Sequence, residues 1–132
     1  MSDLFNADWM TKFKTEWNNE PELTEPLEKI GFSSMIGYGN QDDEKPIGFI
    51  KVENGQVTDA GKYNDEKLNW DLRASDDQWK TFFKKEMGMT GLGIAFTTGK
   101  IKFKTGNYSA MIKDPRMATP FVKSFSVMGR IL

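Results

Sequence analysis

The chain has 132 residues, with 18 Lys and Arg against 19 Asp and Glu, and contains neither Cys nor His. That length suits one domain spanning 1–132, and 38% hydrophobic with 13% aromatic residues is ample for a core and outside the disordered regime. Without Cys or His there is no disulfide, thiolate nucleophile, Ser-His-Asp triad or imidazole metal ligand, so most familiar hydrolase chemistry is excluded and no cofactor or metal is expected.

Phe5, Trp9, Phe13 and Trp17 recur every fourth residue, with Met10 alongside, which predicts an amphipathic first helix. Pro21 suits the first position of a short acidic helix that Gly31 stops near Ile30, with Pro26 as an internal obstacle. The period then changes to two. Phe32 to Tyr38 reads as a strand, and Gly39 to Pro46 as a polar turn whose Asp42-Asp43-Glu44 is a solvated cluster and not a metal site. Ile47 to Glu53 and Gln56 to Lys62 flank Asn54-Gly55, a pair suited to a type I′ hairpin turn. Leu68, Trp70 and Leu72 alternate with Asn69, Asp71 and Arg73, predicting a strand with one wet face. Asp71 is accordingly read as an outward, solvated carboxylate and not as a buried general base.

Ser75-Asp76-Asp77-Gln78 fits a capping box that opens a helix bearing Trp79, Phe82, Phe83 and Met87 on one face. Met87 to Phe96 is uncharged and contains three glycines, which suggests a loop followed by a short helix. Lys100 to Lys104 alternates lysines with Ile101 and Phe103 as a strand. Tyr108 to Lys113 starts a helix that Asp114-Pro115 interrupts, and Thr119-Pro120 is placed to cap a last helix with Phe121, Val122, Phe125 and Met128.

The near-neutral total hides a split. Met1 to Asp77 holds 8 basic and 17 acidic residues, whereas Gln78 to Leu132 holds 10 basic and 2 acidic. Two readings stay open: the halves pair with each other, or the basic half meets an anionic ligand or membrane surface. Nucleic acid is disfavoured as a partner, because Arg supplies only 3 of the 18 basic residues. The start Met1-Ser2-Asp3-Leu4 lacks the basic and apolar regions of a secretory leader and no run of 18 apolar residues occurs, so a soluble, cytoplasmic protein is expected.

Gly93 to Lys100 lacks phosphate-loop spacing and Mg²⁺-binding Ser or Thr, and Gly88, Gly91 and Gly93 lack dinucleotide spacing. The distinctive feature is the apolar material after Asp77, where Met87, Met89, Met111, Met117 and Met128 accompany Trp79, Phe82, Phe83, Phe96, Phe121 and Phe125. Such residues ordinarily form core, but flexible thioethers also suit a cavity that accepts variable apolar shapes.

Leu68 to Lys113 resembles the sterol carrier protein 2 family. The resemblance rests on an alternating strand, a capped aromatic helix, an apolar helix ending Ala95-Phe96-Thr97-Thr98-Gly99, the run Lys100-Ile101-Lys102-Phe103-Lys104-Thr105-Gly106-Asn107, and Ala110-Met111 in the next helix. It implies an α/β (α+β) fold: a five-stranded, largely antiparallel sheet with helices over one face, enclosing an apolar tunnel for lipids. Gly99 to Gly106 is one residue longer than the family's usual run, which implies a bulge or altered register, and the chain adds a helix after Lys113.

The combined reading is a non-catalytic carrier of fatty acids, acyl thioesters or sterol-like molecules, a monomer or homodimer that touches anionic membranes transiently. The expected tunnel lining is Trp79, Phe82, Phe83, Met87, Met89, Leu92, Phe96, Met111, Phe121 and Phe125. Two other classes remain: a packed dimerisation or docking module without ligand, and a small cone-type isomerase needing a buried carboxylate that faces the cavity.

Overall fold

The computed structural model describes residues 4–84 and 88–131. In chain order these form α1 (Ala7–Asn18), α2 (Pro21–Lys29), β1 (Ser34–Asn40), β2 (Gly48–Glu53), β3 (Gln56–Lys62), β4 (Trp70–Ala74), α3 (Asp76–Lys84), α4 (Gly88–Thr97), β5 (Lys102–Thr105), α5 (Tyr108–Ile112) and α6 (Pro115–Met128). The five strands form one sheet in the order β3-β2-β1-β4-β5. Every pairing is antiparallel except β1 with β4. The expected mixed fold, with a largely antiparallel sheet, is the observed one.

The β2–β3 hairpin turns at Asn54 and Gly55, both at positive φ, as their residue types predict. Its partners keep the apolar side chains of Ile50, Val52 and Val57 on the face shared with Ile36, Tyr38 and Leu72. The helices cover that face. Phe5 lies 5.0 Å from both Trp9 and Trp79 between ring centroids, and Trp79 stacks on Phe83 and Phe125 at 6.0 and 6.3 Å. Each such ring removed from water contributes about 1.5–3 kcal/mol, so this aromatic layer is the main support of the fold.

Several local expectations change. Phe5 stands outside α1 at φ 65, and Asn6 is the cap, its side-chain oxygen accepting the Trp9 N–H at 2.8 Å. The glycine-bearing stretch from Gly88 is helical throughout, so α4 replaces the loop expected there. Asp114, not Thr119, caps the last helix: its carboxylate accepts the Arg116 N–H at 3.0 Å, Pro115 takes the first position, and the helix runs on through Pro120. Pro26 is likewise accommodated inside α2.

The largest difference concerns the supposed wet face of β4. Asp71 and Arg73 are buried, at 8% and 1% exposure. Gly37 and Gly39 lie opposite them on β1, and the missing side chains let the segment after β1 close over the strands. A Cβ on Gly37 would stand 2.6 Å from Leu68 Cδ1, and one on Gly39 would stand 2.8 Å from Pro46 Cα. Arg73 then donates to both oxygens of Asp71 at 2.6 and 3.1 Å and to the carbonyls of Asn40, Asp43 and Glu44 at 3.2, 2.7 and 3.4 Å. Period-two patterning treats polar as solvated, whereas here polar residues are buried because every charge finds a partner. The carboxylate-bearing residues 42–44 remain exposed, as expected.

An apolar cleft between the sheet and the helices

Toward one end of the helix-covered face, Trp17, Leu27, Phe32, Ile36, Trp70, Met111, Met117 and Phe121 surround a narrow cleft that encloses about 20 Å³. Among the described residues, no polar atom contributes to its walls. The residues arrive from six elements and one loop, and local chemistry explains how several are placed.

The C-terminus of α2 is a Schellman motif. Gly31, at φ 61, donates its N–H to the Glu28 carbonyl at 2.9 Å, and Phe32 donates to the Leu27 carbonyl at 2.9 Å. The two residues joined by that outer bond, Leu27 and Phe32, both line the cleft. Ile36 and Trp70 are register partners on β1 and β4, which puts both on the helix-covered face. Trp70 is backed by Gly106, at φ 104, where a Cβ would sit 2.2 Å from the indole. Trp17 spends its one polar atom elsewhere, donating Nε1–H to the Gly55 carbonyl at 3.0 Å, so only its hydrocarbon body faces the cleft. Met111 and Met117 supply conformable thioethers from α5 and α6.

Of the residues expected from sequence to line a tunnel, Met111 and Phe121 are in these walls. Phe125 lies one layer behind, 5.2 Å from Phe121. Trp79, Phe82 and Phe83 belong to the aromatic core, and Leu92 is fully buried. Phe96 is at the surface, stacked on Tyr108 at 3.9 Å. Met87 and the side chain of Met89 lie outside the described residues. Sequence reasoning missed the contributions of Trp17, Leu27, Phe32, Ile36, Trp70 and Met117. Their alternation and helical spacing marked them as core, and those signals do not separate core from cavity wall.

Among the described residues, no ionisable group lines this cleft. Asp71, the buried carboxylate of β4, is an odd-register neighbour of Trp70 and points to the opposite side of the sheet, into the grip of Arg73. Tyr38 is fully buried, and burial pushes its phenol far above the ordinary value, keeping it neutral. Glu20 is held below the usual carboxylate range by the Arg130 guanidinium, but that pair lies at the α2–α6 contact and not in the cleft walls. Among the described residues, no cluster of carboxylates is arranged to hold a metal ion, and no helix is long and apolar enough to cross a membrane.

The β4–β5 ladder carries the bulge implied by the long Gly99–Gly106 run. Asp71 pairs with Thr105 and Leu72 with Phe103, leaving Lys104 as the extra residue. Phe103 therefore faces the helices, 5.9 Å from Phe121 and 6.1 Å from Trp70, and closes the β5 side of the apolar layer.

No protein-family model and no curated protein matches the sequence. Solved structures do match. Sterol carrier protein 2 superposes with a TM-score of 0.76 at 13% identity, over 98% of this chain and 100% of that one. The apo form of sterol carrier protein 2 from Yarrowia lipolytica gives 0.52 at 18% identity, over 96% and 94%. The UbiJ-SCP2 ubiquinone synthesis protein gives 0.60 at 11% identity, over 90% and 86%. Agreement over almost the whole length, at identities where sequence alone says little, is agreement of backbone course. The chain has the sterol carrier protein 2 fold.

Proposed function

We propose that the protein binds lipids without catalysis and carries them in the apolar cleft, which widens into a tunnel on ligand entry. The observation that carries this reading is the cleft itself: eight apolar side chains and no polar wall atom, within a sterol carrier protein 2 fold. Such walls reward hydrocarbon only. Each buried methylene contributes about 0.8 kcal/mol, so a twelve-carbon chain gains on the order of 10 kcal/mol before ordering costs, enough for micromolar affinity. The cleft as it stands encloses only about 20 Å³, far below the range for occupied ligand pockets, about 300–1,000 Å³. Long ligands therefore require side chains to yield. Met111, Met117 and Phe121 are the first to move, and Phe125, with Trp79, Phe82, Phe83 and Leu92, forms the layer behind them.

The ligand classes are fatty acids, acyl thioesters and sterol-like molecules, with any polar head left outside the cleft. Among the described residues no carboxylate lines the walls, which disfavours the isomerase reading and its need for a buried base facing the substrate. The likeness to a ubiquinone synthesis protein favours a second occupant of the same cleft, a quinone precursor bound through its apolar tail. Titrating delipidated protein with each class tests the proposal. Saturable uptake of at least one class is expected, and no saturable uptake of any contradicts it.

A further inference from the structure

Trp9 is the exception among the buried indoles. Its Nε1 is buried and, among the described residues, is the one buried side-chain nitrogen or oxygen without a hydrogen-bond partner. The other two buried indoles reach far along the chain for theirs: Trp17 donates to the Gly55 carbonyl at 3.0 Å and Trp79 to the Gly39 carbonyl at 2.9 Å. An unpaired buried donor costs stability, and such a group in a native core calls for an explanation. Bulk alone does not ask for an indole at this position, because the rings packed against it are those of Phe5, Phe13 and Phe83.

Two rows of rings connect Trp9 with the cleft. Along α1, Trp9 lies 5.5 Å from Phe13, which lies 5.7 Å from Trp17 in the cleft wall. On the other side Trp9 stacks on Phe83 at 6.0 Å, and the contacts continue through Trp79 at 6.0 Å and Phe125 at 6.3 Å to Phe121, 5.2 Å further and again in the wall. The rows start together at Trp9 and both end in the cleft. A cleft that encloses about 20 Å³ admits a long ligand only by parting rings. Parting these two rows extends it along α1 by about 12 Å, the helical rise from Trp17 to Trp9, and the extension ends at the unpaired indole N–H.

The donor dictates the chemistry of what it meets. An indole N–H donates and cannot accept, so the ligand must bring an acceptor. The surrounding rings are hydrocarbon. An ionised carboxylate brought among them loses its hydration in exchange for a single neutral hydrogen bond, whereas one such bond satisfies a hydroxyl or carbonyl oxygen.

We propose that Trp9 selects the ligand: its Nε1–H donates to a neutral hydroxyl or carbonyl oxygen of an otherwise apolar molecule whose hydrocarbon end lies in the cleft. The inference rests on the lipid-carrier reading and narrows it, favouring alcohols and esters over free fatty acid anions. The test is hydrogen–nitrogen correlation NMR of the full chain, delipidated and titrated with dodecanol, dodecanoate or dodecane, the Trp9 indole signal being assigned through its backbone. In the free protein that proton is expected upfield of those of Trp17 and Trp79, which are hydrogen-bonded. Dodecanol moves it downfield of its position in the dodecane complex. Trp9→Phe is expected to weaken dodecanol binding by about fivefold or more and to leave dodecane and dodecanoate within about twofold of the parent.

A Trp9 signal already downfield in the free protein overturns the proposal, because the donor then has an internal partner such as a water molecule. So does a signal that sits at the same position in the dodecanol and dodecane complexes, or an equal loss of affinity for all three ligands in Trp9→Phe. Where that variant does not fold, the signal of the parent decides alone. Dodecane uptake with a Trp9 signal indifferent to dodecanol removes this inference and leaves the carrier reading standing. Uptake of none of the three removes the carrier reading itself.

Discussion

Arg73 illustrates how a single side chain organises more structure than its sequence position suggests. With 1% of its surface exposed, it neutralises Asp71 and ties three carbonyls of the segment after β1 to β4. Replacing it by Met leaves the Asp71 carboxylate buried without its cation, and breaking a buried pair this way costs about 3–5 kcal/mol. Urea denaturation of Arg73→Met should show that loss, and Asp71→Asn in the same chain should recover part of it. Glu20 makes a smaller contribution, since its partner Arg130 is 42% exposed and screened by water. Its folded pKa lies below the ordinary 4.5, so the stabilisation is fully present above that value and is lost as pH falls through the lower, folded one. Glu20→Gln is therefore expected to cost about 1–2 kcal/mol at neutral pH, with the gap to the parent closing below pH 4.5 in a chemical-denaturation series. A gap that persists unchanged in acid contradicts the pairing.

The elements show what was legible and what was not. The hairpin at Asn54-Gly55 and the cap at Ser75 follow from local rules, because each depends on residues adjacent in sequence, whereas the bulge in β5 was expected from the length of its run against the family resembled. Helical α4 was obscured by its glycines, whose poor propensity is offset here by burial of Leu92 and Ala95 against the body of the protein. The burial of Asp71 was invisible for a different reason: it depends on Gly37 and Gly39, more than thirty residues earlier, leaving room for a covering segment. The cleft was half legible. Met111 and Phe121 were expected, whereas Leu27 and Phe32 reach the walls through a helix-ending motif whose direction only the fold reveals. Gly106 carries an element-scale prediction. Its φ of 104 and its contact with Trp70 leave no room for a methyl group, so Gly106→Ala should lose about 1–3 kcal/mol and shift the Trp70 emission spectrum. Unchanged stability and emission would show that Gly106 does not set the position of this cleft wall.

For the whole molecule, the absence of Cys and His and the opposed charges of the two halves take on a common meaning. Only two described ion pairs, Lys123–Glu22 and Arg130–Glu20, join the acidic and basic halves, so self-pairing accounts for part of the asymmetry. The sheet supplies an apolar floor, the helices supply a cover rich in Met and Phe, and the polar atom of Trp17 is satisfied away from the cleft between them. That division suits a container better than a catalyst. The central claim is that ligand occupies this cleft, and filling the cleft tests it. Met117 is half-buried and lines the walls, so Met117→Trp can put a rigid indole where the cleft must widen for ligand, without emptying the core. Titration of delipidated parent and variant with one long-chain fatty acid, followed by calorimetry, should give saturable micromolar uptake by the parent and at least about tenfold weaker uptake by a folded Met117→Trp, the effect of losing about 1.4 kcal/mol or more. Equal uptake by the two would contradict the account.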